Sequence, residues 1–470
     1  MKVAFIHYHL KPGGVTTVIR QQVEALRKNG GDSLVLAGLP PPASFPSDTA
    51  LVPGLGYMSR EETGPTGESV ADAIAAAISK QWPGGCDLIH VHNPTLLKNI
   101  RFPVILAALQ GKGFRLLLQI HDFAEDGRPD NYSPAPYPRD CHYAVINSRD
   151  FGILLNAGLQ REGLHLLPNM VSPLEPAPGK PPETAFILYP VRGIRRKNIG
   201  EAILLSLFWS TDRHLAITLP PNSPADMTAY GDWKRFSEEH RLPIRFEAGC
   251  RNNFAELAAT ADHFITTSIT EGFGFSFLEP WTAGKSIRGR KLPDICNDFE
   301  AKGIALNDMY TQLRVPTTWF DRKGYLGAWR KTVRQVCSRF AHDIDSTVVL
   351  EAENRLLHGG EIDFGLLNEK YQKQVLWHLL KSPQEKTILK NLNPFLENLA
   401  APIDSKDQIR RNRKIILTDY NTDTYRNALA NIYAKVADTP VFHGIQKGIL
   451  LTRLLDLKGL SLLKWGVYER

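Results

Sequence analysis

The sequence predicts an α/β protein with two doubly wound parallel-sheet domains and a mostly helical C-terminal extension. Short apolar runs alternate with amphipathic stretches of helical spacing, which is the pattern of strand–helix–strand units on a parallel sheet. A proline-rich segment interrupts this alternation once, after which it begins again. The length of 470 residues is also too great for one hydrophobic core, so we expect more than one domain.

The first domain is predicted to span residues 1–171. Its expected strands are 3–6, 34–37, 88–91, 116–120 and 143–146. Its clearest expected helices are 15–28 and 149–157. Gly30 closes the first of these helices, while Ser148 is the expected N-cap of the second and Gly158 lies at its C-terminal end. This order predicts a Rossmann-like domain.

Residues 172–184 contain five prolines and no apolar periodicity, and are therefore predicted to be a linker. The second domain is expected over 185–305, where strand and helix patterns alternate again. Its expected strands are 186–189, 214–219, 244–247 and 264–267. Helices are expected to begin at Ile199 and at Phe254. A second Rossmann-like domain follows from this order.

Residues 306–470 contain few strand signals and are predicted to form a helical extension, part of which packs back on the other domains. Its expected helices are 325–339, 366–381, 385–399 and 424–435. The last segment, 445–468, carries leucines at helical spacing together with four basic residues, Lys447, Arg453, Lys458 and Lys464. The pattern favours a helix packed on its own domain, and a helix lying on a membrane surface is the alternative.

Composition restricts the class of protein. The five cysteines are scattered without a CxxC pair, which argues against a disulfide framework or a zinc cluster and favours a reducing compartment. No stretch approaches the ~20 apolar residues that cross a bilayer, so the chain is predicted to be cytoplasmic, with peripheral contact at the inner membrane face as an alternative. A net charge of +7 is consistent with acidic ligands such as phosphates, a membrane surface or nucleic acid, but an excess of this size also serves solubility alone and does not decide between them.

Two loops of the first domain follow predicted strands and carry residues suited to ligand binding. Gly13 and Gly14 open the first helix, so their backbone amides can approach a phosphate or a hydroxyl. His121 follows the strand that ends at residue 120, where it can hydrogen-bond a sugar hydroxyl or move a proton. Taken alone, however, His121 is better explained as a loop histidine satisfied by a backbone carbonyl.

A basic loop follows the first strand of the second domain. Arg192 and Lys197 lie five positions apart in the run VRGIRRKN. An arginine supplies bidentate contacts and a lysine a point charge, so the pair can clamp a diphosphate from two sides. The alternative is a solvated basic loop, which is how most basic runs are interpreted.

The strongest signal is the stretch after the predicted strand 264–267. There Glu271 precedes a turn, and Glu279 lies in the first turn of a helix. The residues of the turn are Gly272, Phe273 and Gly274. Free amides at such a turn can hold phosphate or sugar oxygens, and the two carboxylates can accept hydrogen bonds from hydroxyls. A capping box between Ser276 and Glu279 explains Glu279 alone, and leaves Glu271 and the glycines without a role.

Together these motifs resemble the retaining glycosyltransferases of family 4, which have the GT-B fold of two Rossmann-like domains facing a cleft. The resemblance covers roughly residues 1–290 and rests on the order and spacing of short motifs. They are the Gly13-Gly14 loop, His121, Pro168-Asn169, Arg192 with Lys197, and Glu271 with Glu279. The resemblance implies transfer of a hexose from a nucleotide-diphosphate sugar to a hydroxyl of a small-molecule or lipid-linked acceptor, with retention of configuration.

The resemblance also implies roles for individual residues. The implied catalytic residues are Glu271, Arg192, Lys197 and His121. The implied donor-binding residues are Gly13, Gly14, Gly272, Phe273, Gly274 and Glu279. In this scheme the cations neutralise the diphosphate, so neither a metal nor another cofactor is expected, and the leaving phosphate takes the acceptor's proton during same-face attack.

The chain departs from the family after Ala283-Gly284, where an apolar strand and a Gly-Gly turn are usual. Here the sequence is KSIRGRKLPDICNDF, in which Arg288 or Arg290 can bind an additional negatively charged group of the ligand. The sequence contains two His-x-His pairs, His7 with His9 and His90 with His92. Alternate residues of a strand face the same side, and this explains the pairs better than metal ligation does. The string Asp343-Ile344-Asp345 lies downstream of both predicted domains and is regarded as incidental.

Two alternatives to a glycosyltransferase remain. One is a retaining glycoside phosphorylase on the same fold, which uses inorganic phosphate in place of a nucleotide. The other is a nucleic-acid-binding protein that uses the basic runs 192–197, 288–291 and 410–414. Because aromatic residues are not interleaved with these basic runs, nucleic acid is not the expected partner.

Overall fold

Two parallel β-sheets organise the chain. The computed structural model describes residues 1–42, 45, 48–175, 185–210, 212–400 and 406–466. The chain divides into two compact units, of which the first comprises 1–170, 339–342 and 419–455 and the second comprises 171–338, 343–418 and 456–470. Most of the predicted linker, residues 176–184, lies outside the described residues.

The first unit contains a seven-stranded sheet with the order β3-β2-β1-β4-β5-β6-β7. Its strands are β1 (Lys2–His7), β2 (Asp32–Ala37), β3 (Asp48–Leu51), β4 (Leu88–His92), β5 (Leu116–Ile120), β6 (His142–Val145) and β7 (Leu164–Leu166), all paired in parallel. The helices between them are α1 (Gly14–Lys28), α2 (Gly67–Gln81), α3 (Phe102–Gly111) and α4 (Ser148–Asn156). The five predicted strands and two predicted helices are confirmed, with one correction: the side chain of Asn147, not Ser148, caps α4 by accepting from Asp150 N–H.

The second unit contains a six-stranded sheet with the order β10-β9-β8-β11-β12-β13. Its strands are β8 (Ala185–Arg192), β9 (Arg213–Leu219), β10 (Ile244–Arg245), β11 (Phe264–Thr266), β12 (Ile287–Arg290) and β13 (Met309–Tyr310), all paired in parallel. The helices between them are α5 (Ile199–Ser206), α6 (Pro224–Glu239), α7 (Ala248–Arg251), α8 (Phe254–Thr260), α9 (Glu279–Thr282) and α10 (Pro293–Ala301). The last strand lies beyond residue 305, where the second domain was predicted to end.

The remaining residues are mostly helical, as predicted, and include an antiparallel pair of short strands, β14 (Arg314–Pro316) and β15 (Glu361–Asp363). The helices are α11 (Arg322–Phe340), α12 (Ser346–Leu356), α13 (Glu369–Lys381), α14 (Pro383–Leu392), α15 (Lys406–Asp419), α16 (Thr422–Asp438), α17 (Lys447–Leu454) and α18 (Leu462–Trp465). In the first unit α16 packs on α1, where Gln22 Nε2 donates to Tyr425 Oη at 2.8 Å.

The leucines of the C-terminal segment are buried. Leu450 and Leu454 join the hydrophobic core of the first unit, and Leu462 and Leu463 are buried in the second. The burial of these leucines favours the helix packed on its own domain, and the membrane-surface alternative stays a prediction. Within the described chain, no helix combines the length and apolarity needed to span a bilayer.

Strand β12 corrects the sequence analysis, which found no apolar strand at this place. All four residues of β12, Ile-Arg-Gly-Arg, are buried. Gly289 has φ +118°, and a Cβ atom there would lie 1.9 Å from the carbonyl oxygen of Thr266 in β11, so only glycine permits this approach. The guanidinium of Arg290 is paired with Glu201 and Asp363, each at 2.7 Å, which allows a charged side chain inside the unit.

Both sheets have the strand order of a doubly wound fold. The order reverses beside β1 and β4 in the first unit and beside β8 and β11 in the second. In such sheets ligands bind outside the carboxyl ends of the strands at this switch point. The loops after β1, β4, β8 and β11 are therefore where a site is expected.

Candidate active site

The switch point of the second unit brings Lys197 and Glu271 into direct contact. Lys197 follows β8 and Glu271 follows β11, and Lys197 Nζ donates to Glu271 Oε1. The guanidinium of Arg196 lies 3.7 Å from the other carboxylate oxygen. Both side chains of the Lys197–Glu271 pair are mostly buried, at 14% and 10% exposure. The structure thus joins two residues that are 74 positions apart in the sequence.

Hydrogen bonds between the two loops fix this contact. Thr267 Oγ1 donates to the carbonyl oxygens of Lys197 and Asn198, at 3.1 and 3.0 Å. The Tyr189 hydroxyl donates to the Lys197 carbonyl, and the backbone N–H of Ile269 donates to the Arg196 carbonyl at 3.0 Å. The backbone around Lys197 is therefore held by the strand end that carries Glu271, which preorganises the pair.

Burial and charge compete at this pair. Burial by itself raises the pKa of Glu271, but Lys197 and Arg196 outweigh it and bring that pKa below its ordinary value. Burial lowers the pKa of Lys197, and Glu271 opposes this shift. Glu271 is therefore an ionised carboxylate held by two cations.

Glu279 has a different environment. It begins α9, and burial raises the pKa of its carboxyl to about 7, while Lys197 lowers it only in part. A carboxyl with this pKa exchanges its proton near neutral pH. The alternative capping box is not formed, because Ser276 Oγ is buried without a hydrogen-bond partner among the described residues.

The turn between these glutamates is shaped by glycine. Gly274 has φ +90°, in the left-handed region, and a Cβ there would lie 2.7 Å from the ring of Phe277. The side chain of Phe273 is buried, with its ring centroid 4.9 Å from that of Phe275 and 5.8 Å from that of Phe299. Phe273 therefore packs in an aromatic cluster, so that only its backbone remains to contact a donor. The part of Gly272 in donor binding stays a prediction.

Arg192 is not brought to the Lys197–Glu271 pair. Its side chain is exposed and donates to the carbonyl of Pro220 at 3.0 Å. The arginine beside Glu271 is Arg196, and the part of Arg192 in binding the diphosphate stays a prediction. Arg195 is also occupied, because it forms a bidentate ion pair with Glu369 at 2.7 and 2.9 Å.

His92 ends β4 at the switch point of the first unit, and His121, which follows the neighbouring strand β5, is in contact with it. His121 Nε2 and His92 Nδ1 are 2.9 Å apart, and the two rings stack with centroids 5.2 Å apart. The backbone N–H of His121 donates to the side chain of Asn93 at 2.9 Å. Burial lowers the pKa of His121 to about 4, against a smaller opposing effect of Asp122. His121 is thus a neutral imidazole at the carboxyl end of β5, and its contact with a donor sugar stays a prediction.

Further histidines surround this pair. His7 at the end of β1 and His90 in β4 are buried, and burial lowers the pKa of each to about 3. Within the described chain, each of His7, His90 and His92 has one ring nitrogen without a hydrogen-bond partner. No group of three or more His, Cys, Asp or Glu side chains is arranged to hold a metal ion in the described part of the chain. The cluster is a set of neutral, partly unsatisfied hydrogen-bonding groups.

The Gly13-Gly14 loop begins α1, as predicted. Gly13 is the N-cap, with its backbone extended and no side chain capping the helix. Both glycines are exposed, and a Cβ atom at Gly14 would meet nothing within 4 Å. The helix start is open to solvent, and its contact with a donor or acceptor stays a prediction.

The basic run 288–291 has structural partners. Arg290 is paired with Glu201 and Asp363, and Lys291 Nζ lies 3.0 Å from Glu300. Arg288 is buried and donates to the carbonyl of Leu399 at 2.9 Å. These contacts account for the run without an additional phosphate, and they weaken the nucleic-acid alternative. Of the DxD string, Asp345 caps α12 by accepting from Thr347 N–H.

Sequence reasoning missed several residues of the two switch points. Arg196 was not separated from the other arginines of its run, and the hydroxyls of Tyr189 and Thr267 were not considered. In the first unit Asn93 was missed, although the string His-Val-His-Asn-Pro at the end of a strand marks a polar strand end. Asn93 has φ +55°, which its short polar side chain tolerates.

Comparison with known proteins agrees with this architecture. No protein-family model matches the chain. Mannosylglucosyl-3-phosphoglycerate synthase of Petrotoga mobilis is 25% identical, over 92% of this chain and 90% of that protein. Sucrose-phosphate synthase of Thermosynechococcus elongatus has a TM-score of 0.54 at 14% identity, over 92% of this chain and 98% of that one. The fold is GT-B. The enzyme class is glycosyltransferase, as the sequence analysis predicted.

Other solved structures share this glycosyltransferase fold. Anabaena HepE in complex with UDP-glucose has a TM-score of 0.52 at 13% identity, over 92% of this chain and 98% of that one. A glycosyltransferase of Rickettsia africae has a TM-score of 0.53 at 12% identity, over 93% of this chain and 99% of that one. At these identities the likeness concerns the fold, so substrates must be argued from the residues of this chain.

Proposed function

We propose that this glycosyltransferase moves a hexose from a nucleotide-diphosphate sugar to a hydroxyl acceptor with retention of configuration and without a metal ion. The observation that carries the proposal is the mostly buried contact of Lys197 with Glu271 at the second switch point, with the half-exposed Arg196 beside it. A solvated basic loop would have no buried carboxylate partner and no hydrogen bonds tying it to a second strand end.

Lys197 and Arg196 are proposed to stabilise the nucleoside diphosphate as it leaves. As the bond between the anomeric carbon and the diphosphate breaks, negative charge grows on the phosphate oxygen. Lys197 has three N–H donors, so its contact with Glu271 leaves donors for that oxygen. Because the cation is held before the donor binds, it stabilises the transition state without reorganisation. In this proposal Lys197 and Arg196 do the work that a divalent metal does in other enzymes.

The acceptor attacks on the same face. The new bond joins the acceptor oxygen to the anomeric carbon, and the acceptor's proton passes to the departing phosphate oxygen. This sequence needs no nucleophilic carboxylate, which agrees with a Glu271 already engaged by two cations. Glu271 and the backbone of residues 272–274 are proposed to bind hydroxyls of the transferred sugar, and Glu279 to bind the ribose. The exposed Arg192 is retained as a second candidate cation for the diphosphate.

The neutral histidines of the first unit fit a hydroxyl-rich ligand. His121 offers a hydrogen-bonding group without charge, since burial lowers its pKa, and the fully buried His92 contacts its ring at 2.9 Å. Two names among the relatives agree with the proposed substrates. HepE was solved with UDP-glucose, and the Petrotoga protein is named for a product built from sugars and phosphoglycerate. For this chain a uridine donor and a sugar-containing acceptor are part of the proposal.

A donor panel tests the proposal. UDP, GDP and ADP are screened by thermal shift, and the matching nucleotide sugars are then assayed for nucleotide release in the presence of a chelator. We expect one nucleotide to stabilise the chain and its sugar to be turned over with the chelator present. Proton NMR of the product is expected to show the anomeric configuration of the donor. An inverted anomer, or turnover abolished by the chelator, would reject the corresponding part of the proposal.

The same assay addresses the phosphorylase alternative. A phosphorylase releases a sugar phosphate from a glycoside and inorganic phosphate, and releases no nucleotide. Phosphate-dependent glycoside cleavage without nucleotide release from any donor would replace the transferase proposal.

A further inference from the structure

A polar cavity of about 670 Å³ lies at the carboxyl edge of the sheet in the first unit. Its walls come from three loops that each follow a strand, namely residues 57–62 after β3, 97–100 after β4 and 129–132 after β5, together with Arg339. The cavity is of the size that small-molecule sites have in proteins. It adjoins the histidine cluster through His9, because Tyr57 Oη lies 3.1 Å from His9 Nε2 and the ring centroid of His9 lies 5.6 Å from that of His7.

Two cations in the wall have no carboxylate partner. Lys98 is half-buried and Arg60 is exposed, and neither forms an ion pair with any residue that the structure describes. The other cations nearby are neutralised, since Arg128 pairs with Asp122 at 2.7 Å and Arg339 pairs with Asp130. Burial lowers the pKa of Lys98 and the neighbouring Arg128 lowers it further, whereas Asp122 and Asp130 oppose this shift only in part. An incoming anion would therefore still stabilise the charged form of Lys98.

The wall also offers an aromatic surface. Tyr57 is 54% exposed, and Lys98 Nζ lies 5.7 Å from the centroid of its ring. An aromatic face binds the apolar C–H face of a sugar ring, while a cation beside it binds a negative substituent of the same molecule. Asn131, another wall residue, has a side-chain amide that suits hydroxyls.

We propose that this cavity binds the acceptor, and that the acceptor is a small sugar derivative carrying a phosphate or a carboxylate. This inference rests on the proposed transferase function and names the acceptor class for it. Lys98 and Arg60 bind the negative group, and Tyr57 stacks on the sugar ring. Phosphate and carboxylate share the chemistry that an ammonium and a guanidinium recognise, so the experiment must separate them.

Calorimetric titration of the full chain tests the inference with three probes: glucose, glucuronate and glucose 6-phosphate. We expect both charged probes, or one of them, to bind at least about tenfold more tightly than glucose, as one charge-assisted hydrogen bond provides. The stronger of the two identifies the charged group. In Lys98→Met this preference is expected to fall about tenfold, and Arg60→Gln is expected to reduce it less, because Arg60 is more exposed.

Lys80→Met is the matched control, because Lys80 is an exposed lysine of α2 in the same unit and does not line the cavity. It is expected to bind all probes as the wild type does. Equal binding of glucose and the charged probes, absence of binding by both charged probes, or a preference that survives in Lys98→Met would each overturn the inference. Nucleotide release from the donor panel is measured on the same preparations. Its absence would reject the transferase proposal while the titrations still report on the cavity.

Discussion

The two switch points of this enzyme have the same topology, but one carries charged side chains and the other carries neutral ones. In the second unit the strand ends carry full charges, with Lys197 and Arg196 held against Glu271. In the first unit the equivalent strand ends carry His7 and His92, and His121 follows the neighbouring strand β5. Burial lowers the pKa of all three histidines. Strand order therefore decides where a ligand binds, and the residues at the strand ends decide which chemistry it meets.

A physical reason underlies this difference. A buried lysine or carboxylate keeps its charge only when an opposite charge compensates its lost hydration. An imidazole can instead release its proton and remain a neutral hydrogen-bonding group. The second switch point is thus charged and the first is polar without charge, a difference that is consistent with the proposed function.

The largest expected effect concerns charge that is buried away from the switch points. Arg290→Met leaves Glu201 and Asp363 without their common partner, and we expect it to lower the free energy of unfolding by about 3–5 kcal/mol. Urea unfolding followed by circular dichroism measures this loss. Lys291→Met is the control, because its pair with Glu300 is partly exposed and is expected to contribute less than about 1 kcal/mol. Equal losses in both variants would contradict a structural role for the Arg290 cluster.

The next effect tests the charged switch point directly. Lys197→Ala removes the cation held by Glu271, and we expect turnover to fall about 10²–10³-fold, as for loss of one preorganised donor to a developing anion. Glu271→Ala is expected to lower turnover sharply while keeping part of the nucleotide affinity. Initial rates of nucleotide release at saturating donor measure both, and Lys291→Met is expected to keep the wild-type rate. A Lys197→Ala rate within tenfold of the wild type would remove Lys197 from leaving-group stabilisation.

The neutral switch point predicts an acid-sensitive first unit. The folded pKa of His121 is lowered from 6.5 to about 4, so its contribution to stability is complete above pH 6.5 and is lost as the pH falls through the folded pKa. By pH ~5 this loss reaches about 2 kcal/mol for one such histidine. His121→Asn is expected to make the loss of stability between pH ~7 and pH ~5 smaller by that amount. The measurement is the urea midpoint across this range, and equal slopes in the variant and the wild type would contradict a neutral, buried His121.

Sequence patterns located most of the strands because strands buried on both faces appear as continuous apolar runs. β1, β4 and β5 were found in this way, and each is almost entirely buried. β3 was missed because its residues are exposed or only half-buried, so no apolar run marks it. β12 was missed because it contains two arginines whose partners lie far away in the sequence. Arg290 is neutralised by carboxylates 73 and 89 positions away, and Arg288 donates to the carbonyl of Leu399, contacts that no local pattern reveals.

The candidate site was predictable in position and less so in detail. Lys197 and Glu271 were found because each follows a strand, and parallel strands place their carboxyl ends at one edge. The choice between Arg192 and Arg196 depends on the shape of the loop: residues 195–197 form a 3₁₀ turn that directs Arg196 toward Glu271. The wall of the cavity near Lys98 combines three loops that are separated in sequence, and it could not be assembled from spacing alone.

The smallest expected effect concerns Glu279, the one carboxyl at the charged switch point with a pKa raised to about 7. Because the folded pKa lies above that of a free glutamate, its protonated form favours the folded state, and this contribution is lost as the pH rises through 7. Binding of ribose hydroxyls instead favours the ionised form, which accepts hydrogen bonds. Nucleotide affinity of the wild type, divided by that of Glu279→Gln, is therefore expected to increase between pH ~6 and pH ~8 by about 1 kcal/mol, or severalfold.

The nucleotide's own phosphates also titrate in this range, but they do so equally for the wild type and for Glu279→Gln. Their effect therefore cancels in the ratio of the two affinities. Calorimetric titration at several pH values provides the ratio. A ratio that does not change with pH would separate Glu279 from the ribose, and would leave the roles proposed for Lys197, Arg196 and Glu271 unchanged.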